Sequence, residues 1–503
     1  MNNKNLPRLA NNWISAIGGV IAIVAFVFII LIIAFDFITG SKNQYLGILA
    51  YMVIPPFVVL GLVLVPIGMY LNWRRRKQTG EVAPQTWPRI DFNDKRHRRA
   101  AMIFFIGTAI FVTASAYGTY EAYHYSESVA FCGTLCHTVM QPEYTTYQNS
   151  PHARVKCTEC HVGAGAGWYT KSKLSGAYQV YAVMANVYPR PIPAPVKNLR
   201  PARETCEQCH WPEKFFGSQQ FQSDHYLYDE NNTHWPINML LKTGGGDPQM
   251  HTISGIHWHV SSGFEVEYIA RDEKRQEIPW VKLINKQTGE EVIYQNSDDP
   301  LDEDEIGKAE IRTMDCMDCH NRPSHIYRSP DYAIDSYLQF DRISTTIPNI
   351  KKTAVELLAA DYDSTADVPA QIAASLDETY QQEYPEFYDS SKALISNAAA
   401  MIAHVYSQNT FPKMNAKWSD YPNNIGHFYT AGCMRCHEGN HTSESGSTIT
   451  HTCTACHIIL AQGSAEQSML EMTTEGQEFK HPVDIDEAWR EIGCYECHTG
   501  QQP

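Results

Sequence analysis

Seven cysteine doublets, each followed at once by a histidine, constrain this chain more than any other feature. They are Cys132/Cys136-His137, Cys157/Cys160-His161, Cys206/Cys209-His210, Cys316/Cys319-His320, Cys433/Cys436-His437, Cys453/Cys456-His457 and Cys494/Cys497-His498, and they use all 14 cysteines of the 503 residues. Six have the spacing C-x-x-C-H, and the first is one residue longer. One turn of backbone presents two thiols to the two vinyl groups of a haem, while the adjacent imidazole reaches the iron from the same side. Paired C-x-x-C motifs can also hold zinc, and thiol pairs can form disulfides or redox centres. Neither demands the histidine. It follows all seven doublets although His fills only 21 of 503 positions, a coincidence on the order of ten to the minus ten by composition alone. The expectation is seven covalently bound haems c, with the seven motif histidines as proximal iron ligands.

Apolar residues are concentrated at the front. Trp13 to Ile38, Tyr45 to Trp73 and Ala100 to about Tyr120 each reach or exceed the ~20 residues that a helix needs to cross a ~30 Å hydrocarbon core. The first run is longer than the ~7 to 15 apolar residues of a cleavable signal and has no small-residue cleavage site after it, so a retained span is expected. Pro55-Pro56 interrupts the second run and predicts a kink of the kind that membrane helices tolerate. Arg74 to Lys77, Arg89, Lys95, Arg96, Arg98 and Arg99 lie between the second and third runs, and short basic loops stay in the cytoplasm. With Lys4 and Arg8 on the same side, three crossings of a bacterial inner membrane carry everything after about Tyr120 into the periplasm. Residues 1–99 hold 12 Lys+Arg against 4 Asp+Glu, a net +8, which leaves 28 against 51, a net −23, for the body. An acidic body argues against nucleic acid and suits basic or neutral redox proteins as partners.

The layout expected is a three-helix anchor (1–125, with a cytoplasmic loop 74–99), a first haem domain (126–215, haems 1–3), a β-rich insert (216–315), and a last part (316–503) with haems 4–7 around a helical insert (331–408). The fold class is three N-terminal transmembrane helices plus a multihaem cytochrome c domain with little regular secondary structure. FEVEYIA (Phe264 to Ala270), PWVKLIN and EVIYQ alternate apolar and polar residues, with an N-K-Q-T-G-E turn between the last two, and read as antiparallel strands. IKKTAVELLAA, PAQIAASLDETYQQ and SSKALISNAAAMIAHVY carry helical spacing.

Setting aside the seven motif histidines and His97 of the basic loop leaves 13 of the 21 for the distal side of seven irons. That supply allows bis-histidine haems, which have no open coordination site and suit electron transfer. His152, His325, His441 and His481 lie near motifs, and His404 and His427 follow as distal candidates. His257 and His259 alternate, so as strand neighbours they would point to opposite faces; one of them is expected to serve, and His259 is the choice. His124, His225, His234, His251 and His451 are reserves.

The segment CGTLCHTVMQPEYTTYQNSPHARVKCTECHVG directly after an apolar run, followed by GWYTKSKLSG and YPRPIPAPVKNLRPARETCEQCH, resembles the NapC/NirT/NrfH family of membrane-anchored multihaem quinol dehydrogenases. The layout of three spans and seven motifs is similar to the seven-haem inner-membrane cytochromes of metal-respiring bacteria. The resemblance implies that the haem nearest the membrane takes electrons from menaquinol at the periplasmic face, with a lysine and a carboxylate beside it; Lys171 or Lys173 and Glu143 fall in matching surroundings. Small family members have C-x-x-C-H-x-M as the first motif. Here Met140 stands three residues after His137, which leaves the first iron with His137 alone, with another residue, or with Met140.

The physical argument is parallel. A lipid-soluble two-electron donor lives in the bilayer, and its oxidation releases two protons that a nearby carboxylate or lysine must accept. The expected function is menaquinol oxidation in anaerobic or extracellular respiration, with electrons relayed to periplasmic multihaem cytochromes or reductases. The alternatives are a terminal reductase of a small oxyanion such as nitrite, which needs an open iron, and a passive electron-transfer subunit of a larger membrane complex.

Overall fold

The computed structural model describes residues 10–39, 54–78, 91–163, 165–196, 199–211, 214–215, 217–245, 255–362, 367–464 and 472–501. The chain forms two units, Met1–Leu135 and Cys136–Pro503.

In the first unit two apolar helices, α1 (Trp13–Thr39) and α2 (Pro55–Gln78), pack on one another. Their stretches Trp13–Ile32 and Pro55–Arg75 are long and apolar enough to cross a membrane. Helices in lipid gain nothing from hydrophobic burial and associate through small residues that let backbones approach. A Cβ on Gly18 would stand 2.7 Å from the Gly61 carbonyl oxygen, and one on Gly61 2.6 Å from the Gly18 oxygen. Nearby, Ser15 Oγ donates to the Val65 carbonyl at 2.9 Å. The Pro55-Pro56 pair opens α2 instead of kinking it: at the first helical turn a proline's missing N–H would have had no partner anyway. The rest of the second apolar run, with Lys4, Arg8 and Arg89, lies outside the described residues. A third helix, α3 (Lys95–Ser126), contains the whole Ala100 to Tyr120 run, and the Asp94 carboxylate caps its start by accepting from Arg96 N at 2.7 Å.

In the second unit the strands come as small antiparallel sheets. The hairpin β1 (Gln219–Tyr226) and β2 (His234–Leu241) is followed by β3 (Phe264–Ile269), β4 (Trp280–Asn285) and β5 (Glu291–Asn296), which meander through the three expected segments with Phe264 opposite Asn285 and Trp280 opposite Gln295. Period-two alternation puts Val266, Tyr268 and Val281 on one buried face and Ile269 and Trp280 on the other. The sheets do not close within 216–315. The meander takes β6 (Arg312–Thr313) on one edge and, past the short pair β7 (Thr410–Phe411) and β8 (Ala416–Lys417), β9 (His441–Ser443) on the other; β10 (His457–Gln462) joins β2. A bare edge offers unpaired N–H and C=O groups, and strands that follow the fifth motif and begin at the sixth satisfy them.

Four helices, Pro330–Gln339, Ile350–Ala359, Val368–Glu383 and Pro385–Asn409, enclose an apolar core around Ile334, Ile350, Ile372, Leu376, Ile395 and Ile402. Lys351 is buried at its edge. Its Nζ donates to Asp331 at 2.8 Å, to Asp335 at 2.7 Å and to the Tyr226 carbonyl at 2.5 Å, while Tyr228 and Tyr429 donate to Asp331.

Candidate functional site

The second to seventh motifs each make about one helical turn. His210 N, His320 N, His437 N and His498 N each bond back to the carbonyl of the first cysteine of their own motif, at 2.8 to 3.1 Å. That turn sets both thiols and the imidazole on one side of the backbone. Among the described residues no disulfide forms, and no group of three or more His, Cys, Asp or Glu converges as a zinc site would require.

The thiols are not equally enclosed, although their spacing treats them alike. Cys209, Cys453 and Cys497 are exposed, and the other cysteines are half-buried. Cys497 closes the turn Cys494–Cys497, and its motif keeps the geometry of the rest, with His498 N bonded to the Cys494 carbonyl at 2.8 Å.

Six motif histidines each face a second histidine from outside their own motif. The ring centroids are 6.3 Å apart for His161 and His325, 6.1 Å for His210 and His152, 6.3 Å for His320 and His257, 5.9 Å for His437 and His259, 6.2 Å for His457 and His427, and 6.0 Å for His498 and His481. Two metal–nitrogen bonds of ~2.0 Å, with each ring centre ~1.1 Å beyond its nitrogen, span roughly 6.2 Å. The pairs fit an iron between them. Interplanar angles from 4° to 81° agree with this, since each ring can turn about the shared axis.

Hydrogen bonds at the other ring nitrogen point the same way. Nδ1 of His152, His257, His259, His325 and His481 meets the backbone carbonyl of Pro323, Thr243, Ile256, Glu143 and Val483, at 2.6 to 3.2 Å. Donation from Nδ1 fixes the tautomer and leaves Nε2 with a lone pair for a metal. Burial pushes the imidazolium form out of reach: His259 falls to about 4, and His161, His320, His325, His427, His457 and His498 are all lowered, burial being the largest cause for each.

His257 and His259 do not sit on a strand. They lie on the 3-10 helix Ile256–Val260, and one turn sends them to different motifs, the fourth and the fifth. Gly255, at φ +84°, makes this possible: a Cβ there would stand 2.5 Å from the Gly244 carbonyl oxygen. Ile256 N and His257 N then bond to the Lys242 and Gly244 carbonyls. Both rings of the pair face a motif histidine, where one was expected to.

His404 and His441 correct the sequence reading. His441 is fully buried with both nitrogens engaged, Nδ1 by Glu438 at 2.6 Å and Nε2 by the Ile278 carbonyl at 2.7 Å, so it ties β9 to its neighbours. His404 projects from the helix Pro385–Asn409 beside Tyr337 and Gln408, at an open cleft with Asp341 and Arg342. Among the reserves, His124 packs on Tyr120 and Tyr123, His225 lies between Ser223, Asp335 and Phe428, His234 pairs with Asp224 at 2.7 Å, and His451 sits against Gly439. His251 lies outside the described residues.

In the first motif Cys132 lies on the short helix Val129–Thr134, and Cys136 caps the helix His137–Gln148, in whose first turn Met140 N bonds to the Cys136 carbonyl at 2.9 Å. The residues read as a quinol site are held as follows. Glu143 accepts from Arg322 Nη2 at 3.0 and 3.1 Å and from Tyr327 at 3.2 Å. Lys171 and Lys173 lie on the helix Ala166–Ala185, over the rings of Trp168 and Tyr169 at 5.0 and 4.9 Å. Arg322, Tyr327 and Tyr421 around Glu143 had no motif to mark them in the sequence.

The second to seventh motifs follow one another in space. The hydrogen bond that the Cys206 thiol donates to Cys316 is the largest influence on it. Beyond burial, which dominates in each case, Cys209 acts on Cys160, Cys433 on Cys319, Cys433 on Cys456 and Cys453 on Cys494. From the second to the seventh, each motif is within electrostatic reach of the next.

A family model for the N-terminal region of the NapC/NirT cytochrome c family matches residues 94–191. The cytochrome c-type protein ImcH of Geobacter sulfurreducens is 47% identical over 492 residues, covering 97% of this chain and 95% of the relative. No solved structure matches the chain.

Proposed function

Because this chain belongs to the NapC/NirT cytochrome c family, we propose that it oxidises menaquinol at the outer face of the bacterial inner membrane and relays the electrons through seven haems c to periplasmic multihaem cytochromes or reductases. One observation carries the reading: six motif histidines each face a second imidazole at 5.9 to 6.3 Å. An iron held between two imidazoles exchanges electrons and offers no position to a substrate. The distal ligands on this reading are His325, His152, His257, His259, His427 and His481 for the second to seventh haems. Only the first haem is left as a place for an open iron, which argues against a terminal reductase built on the other six.

In the membrane α1 and α2 are spans, and Ala100 to Tyr120 of α3 supplies the third. The basic residues between the second and third spans stay in the cytoplasm, and the second unit lies in the periplasm. About a dozen residues separate Tyr120 from Cys132, which keeps the first haem near headgroup level. There the donor loses two electrons singly and two protons; Lys171 and Lys173 are the groups proposed to handle quinol oxygen and protons. A menaquinol analogue added to purified holoprotein should reduce its haem bands directly, and a quinol-site inhibitor should slow this. Reduction that required an added electron carrier would refute the assignment and favour a passive subunit.

A further inference from the structure

The second histidines are not all held alike. Nδ1 of His152, His257, His259 and His481 meets a backbone carbonyl. His325 differs: besides the Glu143 carbonyl at 2.9 Å, its Nδ1 has the Glu143 carboxylate oxygen Oε2 at 3.2 Å. Among the described contacts of the six second histidines, this is the one carboxylate at Nδ1. Glu143 and its counter-cation are both enclosed, with side chains 17% and 9% exposed. Arg322 Nη2 donates to both carboxylate oxygens, Arg322 Nε donates to the His325 carbonyl at 2.6 Å, and the guanidinium lies over the rings of Tyr421 and Tyr327 at 4.0 and 5.0 Å. Tyr327 adds a donor to Glu143 at 3.2 Å.

We infer that Glu143 is a positioning residue that lowers the reduction potential of the haem bound at Cys157, Cys160 and His161, acting through Nδ1 of His325. The inference rests on His325 being that haem's distal ligand. A carboxylate behind a ligating histidine fixes its orientation and raises its basicity. A more basic imidazole stabilises the ferric ion over the ferrous one, and a fixed negative charge in a water-poor site does the same. Arg322 carries the opposite charge and is bonded to the same carboxylate and to the His325 carbonyl, so the pair sets the potential by difference. What the residues would set is the balance between the oxidised and reduced forms of the haem they would hold, the electron coming from quinol on the proposed function and no bond being made or broken in the protein.

The test uses full-length holoprotein in detergent and spectroelectrochemical titration at fixed pH. Glu143→Gln keeps the backbone carbonyl bond to Nδ1 and removes the charge. One haem equivalent should then show a reduced-to-oxidised ratio roughly tenfold higher at a given potential, a shift of about 59 mV for one electron. Arg322→Gln should move the same haem the other way, and Glu143→Asp should restore part of the original value. Opposite signs from two neighbouring substitutions separate tuning from mere loosening of the site. His325→Gly is the control for the ligand: it should cost one haem its low-spin spectrum, and if it does not, the ligand assignment fails. If it does, while Glu143→Gln and Arg322→Gln leave the titration unmoved or shift it in one direction, the role of Glu143 fails alone.

Discussion

Replacing Lys351 with methionine should destabilise the second unit far more than its single position in a helix suggests. The side chain is 2% exposed and its ammonium holds Asp331 and Asp335 together, at 2.8 and 2.7 Å. Methionine fills much of the same volume, so the loss is electrostatic: two buried carboxylates lose their lysine, and Asp335 keeps only the His225 ring at 3.5 Å beside it. Removing one partner of a buried ion pair costs about 3–5 kcal/mol because the charge left behind cannot be solvated, which lowers Tm by about 4–6 °C in a unit that runs from Cys136 to Pro503. Asp335→Asn should behave differently. Burial holds the Asp335 carboxyl above its usual range despite Lys351. Its contribution to stability is therefore full below the unfolded-state value and is lost as pH rises through the folded one. Asp331 has the reverse sign: burial pushes it up, but Lys351, Tyr228 and Tyr429 together hold it below the usual range, so its contribution is present at neutral pH and lost as pH falls. At pH 7 Asp335→Asn should be neutral or stabilising, since it leaves one lysine with one carboxylate, and in the Lys351→Met background it should recover part of the loss. Urea titration followed by far-ultraviolet circular dichroism measures all four proteins. A Lys351→Met cost under about 1 kcal/mol, or an Asp335→Asn cost as large, would overturn the reasoning.

His257→Gly and His259→Gly should each convert one haem equivalent to a high-spin spectrum, whereas His404→Ala and His441→Ala should leave the haem bands as they are; resonance Raman or near-infrared magnetic circular dichroism reads the difference. Loss of one low-spin haem in His404→Ala would contradict the pairing. Gly61→Leu should separate α1 from α2, because even a Cβ there meets the Gly18 carbonyl at 2.6 Å, and disulfide trapping between cysteines placed on the two helices should fall in yield. Lys171→Ala with Lys173→Ala should slow reduction by a menaquinol analogue by roughly 10²-fold or more without altering the haem spectrum, and an unchanged rate would remove both from the quinol site.

Local chemistry was legible in the chain and long-range partnership was not. Each haem attachment motif is complete within five or six consecutive residues, so spacing alone names both thiols and the proximal imidazole. How far each thiol is enclosed is a different matter: Cys497 and Cys494 belong to one motif, yet the first is exposed and the second half-buried. The apolar runs of the anchor and the alternating strands at Phe264, Trp280 and Glu291 are likewise statements about neighbours along the chain. A second histidine, by contrast, belongs to an iron only if the fold brings it there, and residues near a motif in sequence need not be near its metal. His441, four residues past His437, is consumed in joining a strand edge to Glu438 and Ile278, while His259, far upstream, takes the place opposite His437. The strand reading of His257 and His259 failed because Gly255 permits a tight turn that alternation cannot reveal. Glu143 shows the same division: its sequence neighbours suggest a proton acceptor, but Arg322 and Tyr327, which decide what its carboxylate can do, come from about 180 residues away. Covalent attachment is fixed by bonded neighbours, whereas ligand choice and charge balance are fixed by packing, and packing exists only in the folded molecule.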